Sequence, residues 1–371
     1  MTAVLQPFLD KGILTGAVIL TADQERILDL EAFGSRDVAQ HQAMTTSDEF
    51  WIASMTKAFT AAAVTMLVDD GKLSLNDPVE KYLPEFRGQQ VLVGGKLVPA
   101  IHPILLREVL SSTSCLPFSS SWERAHGKLD QRPLKVAVAE FAFEPLRCQP
   151  GTSFLYSNEG FSTAARVLEV ITGKPYELFL QQRIFDPLGM TDTTFWPSGK
   201  QLARLATTYR ADQASRTNDP ATNDQLTPPF SDHSKRYPMP AGGLFSTATD
   251  VAHFCQMLLG HGVYQGRRLL SDSAVATMFA NQAAPTATDG SGNPARYGLG
   301  LYIRSDGVGH PGAYKTEMRL DTQHDLITVF MVQQQGPWLS KDGDRMVGLL
   351  HDTWLKLSTT TSTLGTKGNT P

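Results

Sequence analysis

Residues Phe50 to Val68 form a run of nineteen positions in which Lys57 is the only ionisable side chain. Ala58, Ala61, Ala62, Ala63, Val64, Met66 and Leu67 surround it on nearly every face, so the spacing predicts a helix buried on all sides and closed by Asp69, Asp70 and Gly71. Burying an ammonium group without a partner costs roughly several kcal/mol. Lys57 therefore either snorkels along its own stem to water, the commoner fate of a lone lysine, or is held with a lowered pKa. Ser54 shifts the balance. Residues at i and i+3 overlap on a helix face, which puts Ser54 within reach of Lys57. A serine in the first turn also has free backbone N–H groups and the positive dipole end beside it, which favour an oxyanion. Taken alone, Ser54 reads equally well as a helix cap, and about one S-x-x-K is expected by chance in a chain like this.

Two further patterns occur once each: Tyr156-Ser157-Asn158 and His310-Pro311-Gly312. Tyr156 follows the Pro150-Gly151 turn and precedes a helix whose apolar face is Phe161, Ala164, Ala165, Leu168 and Ile171, ending at Gly173, with Asn158 as a plausible cap. His310 is expected where a turn over Ser305 to Gly309 leads into a strand beginning at Ala313. Separately, these are a core-edge tyrosine, a cap and a solvated loop histidine.

The two ends of the chain supply matching pieces. Gly16 to Ala22 and the run around Leu28, Leu30 and Ala32 read as a strand pair after an N-terminal helix. Tyr297 to Arg304, Ala313 to Asp321 and Leu326 to Gln333 read as three more strands. In the middle one, Tyr314, Thr316, Met318 and Leu320 alternate with Lys315, Glu317, Arg319 and Asp321, one packed face and one wet. A final helix is expected after Ser340, carrying Met346, Val347, Leu350, Trp354 and Leu357. The expected division is a sheet domain from 1–70 and 290–357, a mainly helical domain from 71–289, and a disordered tail from 358–371. The polar stretch from Arg204 to Ser234 is expected to be a surface or pocket-lining excursion.

With 371 residues, 41% hydrophobic and 19% charged, the chain has ample material for a globular core. Lys and Arg total 33 against 37 Asp and Glu, a net charge of -4, so no basic field gathers nucleic acid or anionic lipid. Cys115, Cys148 and Cys255 are odd in number, far apart and form no C-x-x-C, and they read as reduced thiols. With no signal peptide in Met1 to Leu20, the expectation is a cytoplasmic protein. No H-E-x-x-H, G-x-G-x-x-G or G-x-S-x-G occurs, so no metal, nucleotide or other cofactor is implied.

In combination and in order, Ser54-Met55-Thr56-Lys57, Tyr156-Ser157-Asn158 and His310-Pro311-Gly312 resemble the serine β-lactamase and penicillin-binding-protein superfamily. The resemblance is to its class C-like branch, which includes carboxylesterases of family VIII and D-aminopeptidases. Gly71-Lys72-Leu73-Ser74-Leu75-Asn76-Asp77-Pro78, Pro187-Leu188-Gly189-Met190 and Ala241-Gly242-Gly243-Leu244-Phe245-Ser246-Thr247 add to it, so that it spans nearly the whole chain. It implies an α+β fold, with an antiparallel sheet flanked by helices and an inserted helical region, and a site between the two. Ser54 would be the nucleophile, with Lys57 or Tyr156 as the base. The N–H groups of Ser54 and Ala313 would form the oxyanion hole, with Asn158 and Gly312 shaping the site. His310 stands where β-lactamases usually carry a lysine that holds the substrate carboxylate, and an imidazole, neutral near pH 7, favours neutral esters. The expected function is a carboxylesterase acting on short-chain esters through an acyl-enzyme on Ser54, with weak β-lactam hydrolysis as a side activity. The alternatives are a β-lactamase or D-amino-acid peptidase, or an inactive binding module. Phe118, Trp122, Phe230, Tyr237 and Trp338 are candidate walls of the acyl and alcohol pockets.

Overall fold

The structure is a computed structural model that describes residues 1–284, 287–289 and 291–365. Its centre is a seven-stranded antiparallel sheet drawn from both ends of the chain. The strands are β1 (Gly16–Ala22), β2 (Ile27–Asp37), β3 (Gln42–Ala43), β4 (Tyr302–Ile303), β5 (Gly307–Pro311), β6 (Glu317–Asp321) and β7 (Leu326–Met331), in the order β4-β5-β6-β7-β1-β2-β3. β1 is an interior strand, with Val18 opposite Met331 of β7 and Ala32 of β2.

The unbroken apolar run in β1 follows from cover on both faces. Alternate residues point opposite ways, so Ala17 and Ile19 join one core while Val18, Leu20 and Ala22 join another. The first core is closed by two terminal helices, α1 (Thr2–Asp10) and α6 (Met346–Gly365), through Leu5, Met346 and Leu350. The second is the main core. It contains α2 (Thr56–Asp69), α3 (Leu106–Leu110), α4 (Asn158–Thr172) and α5 (Ala248–Leu259), the last lying against β7 and β1. Helix α2 is buried from Thr56 to Leu67, as its composition predicts. Helix α4 begins with Ser157 accepting from Gly160 N–H at 3.0 Å and ends on Gly173 in the left-handed conformation.

Several expectations are corrected. Cys115 and Cys148 form a disulfide with Cα atoms 5.2 Å apart, and only Cys255 is a free thiol among the described residues. Thirty-three positions of sequence separate the pair, and only the folding of their two loops against each other brings them together. The thiol argument for a cytoplasmic location falls with this bond, since disulfides belong to oxidising compartments. His310 lies within β5 rather than after a turn, because β5 to β6 turns later, at residues 312–316. Residues 358–365, expected to be disordered, continue helix α6; residues 366–371 of that expected tail lie outside the described residues. The excursion from Arg204 to Ser234 carries a hairpin, Tyr209–Asp212 with Thr217–Pro220, which pairs with Gln334–Gln335. No helix among the described residues is long and apolar enough to cross a membrane.

Candidate active site

Ser54 occupies a short 3-10 turn, Ala53–Met55, immediately before α2. Ala53 holds a positive φ of 46°, a conformation that non-glycine residues rarely adopt. The turn is held by its surroundings: Ile52 N–H donates to Leu244 O at 3.0 Å, and Trp51 Nε1 donates to Gly242 O at 2.6 Å. Ser54 is half-buried, with the fully buried Lys57 one helical turn on.

Lys57 Nζ has three polar neighbours: Asn158 Oδ1 at 2.7 Å, Ala241 O at 2.8 Å and Ser54 Oγ at 3.3 Å. Burial drives its pKa well below the usual lysine value, with no carboxylate to oppose the shift. Its snorkelling to water is thereby excluded. Asn158 is the first residue of α4 and not its cap; Ser157 takes that role, which frees the Asn158 amide to face the lysine.

Tyr156 stands at the mouth of α4, its ring 4.6 Å from Lys57 Nζ. Burial raises its phenol pKa far above the usual range, partly offset by a hydrogen bond with Ser54. The loop that presents it is stitched to the loop after α3. Arg147 N–H donates to Cys115 O at 3.0 Å, Gly151 N–H to Thr113 O at 2.8 Å and Leu155 N–H to Ser112 O at 2.8 Å, and the disulfide closes the same seam. Close approach of α4 to α3 requires Gly160, where a Cβ would lie 2.7 Å from Val109 O.

The third motif arrives at the end of β5, next to the edge strand β4. Gly312 packs so tightly on the serine turn that a Cβ would lie 2.0 Å from Thr316 Oγ1 and 2.7 Å from Ile52 O. That contact docks the 312–316 turn, with Ala313, beside Ser54. Neither the Ser54 nor the Ala313 N–H donates to a backbone acceptor among the described residues. His310 is buried, and burial, helped by the nearby Lys57, pushes its pKa down to about 3. Its Nδ1 lies 2.7 Å from Pro311 O. A carbonyl only accepts, so Nδ1 carries the proton and Nε2 is left as an acceptor. Tyr297 OH lies 3.1 Å from Nε2 and Tyr156 OH 3.5 Å.

The fold therefore brings together Ser54, Lys57, Tyr156, Asn158, His310, Gly312 and Ala313. Phe118 joins them, half exposed and stacked on Tyr156 with ring centroids 6.1 Å apart. The other pocket candidates are placed elsewhere. Trp122 stacks on His126 at 3.9 Å under the Arg132 guanidinium, and Tyr237 is a buried core residue tied to Asp130 O through its N–H. Phe230 packs on Phe245 at 5.3 Å, lining a cavity of about 380 Å³ shared with Trp51, Leu205 and Gln333. Trp338 belongs to the core on the opposite face of the sheet, under the terminal helices. Aromatic identity alone carries no information about which face of the sheet a residue reaches. Sequence reasoning missed Tyr297 and Tyr302, which frame His310 with Tyr302 stacked on Tyr156 at 6.3 Å, and the Ala241 carbonyl. Two tyrosines in a strand run beside the third motif were the available signal for the first pair.

The geometry offers a hydroxyl beside a dehydrated amine, a neutral phenol and two unengaged N–H groups, a set suited to acyl transfer through serine. A family model described as Beta-lactamase matches residues 1–352. Protein Rv1367c of Mycobacterium tuberculosis (strain ATCC 25618 / H37Rv) is 34% identical over 367 residues, covering 89% of this chain and 88% of that protein. Lovastatin esterase of Penicillium rubens is 29% identical over 309 residues, covering 77% of this chain and 74% of that protein. Among solved structures, EstCE1, a hydrolase with promiscuous acyltransferase activity, matches with a TM-score of 0.79 at 22% identity, covering 93% of this chain and 95% of its own, a likeness of fold. With a family match across nearly its whole length and its serine, lysine and tyrosine gathered at one site, the chain belongs to the beta-lactamase family.

Proposed function

We propose that the protein is a serine esterase of the family VIII kind, hydrolysing small neutral esters through an acyl-enzyme on Ser54. The observation that carries this reading is the environment of Lys57 Nζ. A neutral amine has two N–H bonds and one lone pair. Asn158 Oδ1 and Ala241 O, at 2.7 and 2.8 Å, accept the two N–H groups, and the lone pair is left for the Ser54 hydroxyl at 3.3 Å. This favours Lys57 over Tyr156 as the base, since burial holds the phenol in its protonated form.

In the reaction, Ser54 Oγ attacks the ester carbonyl as its proton passes to Lys57 Nζ. The negative charge that develops on the carbonyl oxygen is met by the N–H groups of Ser54 and Ala313. As the C–O bond breaks, Tyr156 gives its proton to the departing alkoxide and regains one from the Lys57 ammonium. Water then attacks the acyl-serine by the same route in reverse, and the acid leaves.

The preference for neutral esters rests on His310. At about 3 its pKa leaves the ring neutral at any physiological pH, and its free nitrogen accepts rather than donates. A substrate carboxylate finds no counter-charge there, which disfavours β-lactams and D-alanyl peptides. Lovastatin esterase among the relatives supports the same direction.

The test is a fluorophosphonate probe with mass spectrometry, followed by specificity constants for a short p-nitrophenyl ester, a cephalosporin and a D-alanyl amide. An adduct on Ser54 and a preference for the ester are expected. Absence of an adduct means an inactive module, and preference for either of the other substrates means a β-lactamase or peptidase.

A further inference from the structure

We propose that Tyr297 is a positioning residue that keeps the Tyr156 proton available to the leaving group, by occupying the one acceptor that competes for it. The inference rests on the esterase reading above and adds to it a residue outside the three motifs.

Tyr297 is fully buried just ahead of β4, joined by an isolated bridge to Tyr302. Its hydroxyl meets His310 Nε2 at 3.1 Å, the one polar partner recorded for it among the described residues. Buried hydroxyls need a partner, and here the partner is itself constrained. Because Pro311 O holds the Nδ1 proton at 2.7 Å, the His310 ring has a single in-plane lone pair, on Nε2. Two phenols face that lone pair, Tyr297 at 3.1 Å and Tyr156 at 3.5 Å. One lone pair accepts one well-aligned hydrogen bond, and the closer donor takes it.

Tyr156 sits at the outer limit of hydrogen bonding, so its proton is not committed to His310 and can turn toward Ser54 and the departing oxygen. Without the Tyr297 hydroxyl, Nε2 would be a buried acceptor lacking a donor, an arrangement that costs free energy. The remedy lies within a few tenths of an ångström, since Tyr156 would donate to it. The proton needed for expulsion of the alcohol would then be held in the ground state by the wrong acceptor.

This predicts a dependence on the leaving group that a merely structural tyrosine would not produce. An alkoxide must be protonated as it departs, whereas p-nitrophenolate leaves as the anion. With the same acyl group on both, kcat/KM compares acylation alone. The experiment measures kcat/KM for ethyl butyrate and p-nitrophenyl butyrate with wild type, Ser54→Ala, Tyr297→Phe and the double variant Tyr297→Phe/His310→Leu. Tyr297→Phe should lose about tenfold or more on the ethyl ester, a fraction of what a general acid contributes, and stay within about twofold on the nitrophenyl ester. The double variant, which lacks the competing acceptor, should bring the ratio of the two esters back toward that of wild type. Parallel loss on both esters, no change on either, or a ratio that the double variant leaves uncorrected overturns the role of Tyr297. The esterase reading is judged by different arms: turnover by wild type and its loss in Ser54→Ala.

Discussion

Asn158 Oδ1 accepts a hydrogen bond from Lys57 Nζ at 2.7 Å, across a sequence separation of 101 residues. A carbonyl oxygen in this place accepts a hydrogen bond from the amine without bringing a charge that would draw the amine into its ammonium form. A carboxylate of the same size would do the opposite.

Asn158→Asp is therefore expected to raise the Lys57 pKa, since an opposite charge at hydrogen-bond distance stabilises the ammonium. Catalysis that needs the neutral amine should drop by about tenfold or more near pH 7, and the acidic limb of the kcat profile should move to higher pH. A pH–rate series on a p-nitrophenyl ester checks this. An unmoved limb would show that Lys57 does not act as the base.

The lowered Lys57 pKa also has a signature in stability. In the unfolded chain the side chain keeps its proton up to the ordinary lysine value of 10.5, whereas in the folded protein it loses it earlier. Between those two points the unfolded state binds more protons, so unfolding free energy rises with pH, by at most about 1.4 kcal/mol per unit. This contribution is complete above 10.5 and is lost as pH falls through the folded value. Urea titrations at pH 7, 8 and 9 should show wild type gaining on Lys57→Met as pH rises. Parallel curves would mean that the folded protein keeps the ammonium.

Gly312→Ala tests the docking of the 312–316 turn. The new Cβ would meet Thr316 Oγ1 at 2.0 Å and the Ile52 carbonyl at 2.7 Å, and the second is backbone that no rotamer change can clear. The turn must retreat from Ser54 and carry the Ala313 N–H with it. Loss of one oxyanion donor corresponds to about 10²-fold in kcat. Steady-state kinetics beside a circular dichroism melt separates this local effect from unfolding.

Cys148→Ser opens the disulfide that spans 33 residues of sequence and closes the seam behind Tyr156. The expected cost is about 2–4 kcal/mol of stability, read as a lower melting temperature. Activity should also fall, because Tyr156 is presented by that loop. Reducing the wild type with dithiothreitol should reproduce both changes, and unchanged melting after verified reduction would rule out a stabilising role.

The parts legible in the sequence are local ones. Helix α2 could be read because its burial is written in consecutive residues, and Ser54 could be placed over Lys57 because three residues make most of one helical turn. β1 and β7 could be read from apolar runs and β6 from alternation, although the strand expected from Ala313 begins only at Glu317, because residues 312–316 form the turn. His310 was misplaced because the boundary between a turn and a strand is set by pairing with β6, which local composition does not encode. Trp338 was misassigned for a related reason, since a large aromatic packs equally well on either face of a sheet.

Residue order alone thus singled out the candidate groups: a serine one turn from a lysine that is the sole ionisable side chain between Phe50 and Val68. Tertiary structure settled the state those groups are in. Burial holds the Lys57 pKa well below the usual lysine value, while two oxygens from segments more than 100 residues away accept its N–H groups, burial in the core lowers the His310 pKa, and Cys115 meets Cys148 only because two loops fold together. Desolvation and hydrogen-bond partnership depend on everything packed around an atom. Most of what packs around these atoms comes from distant parts of the chain.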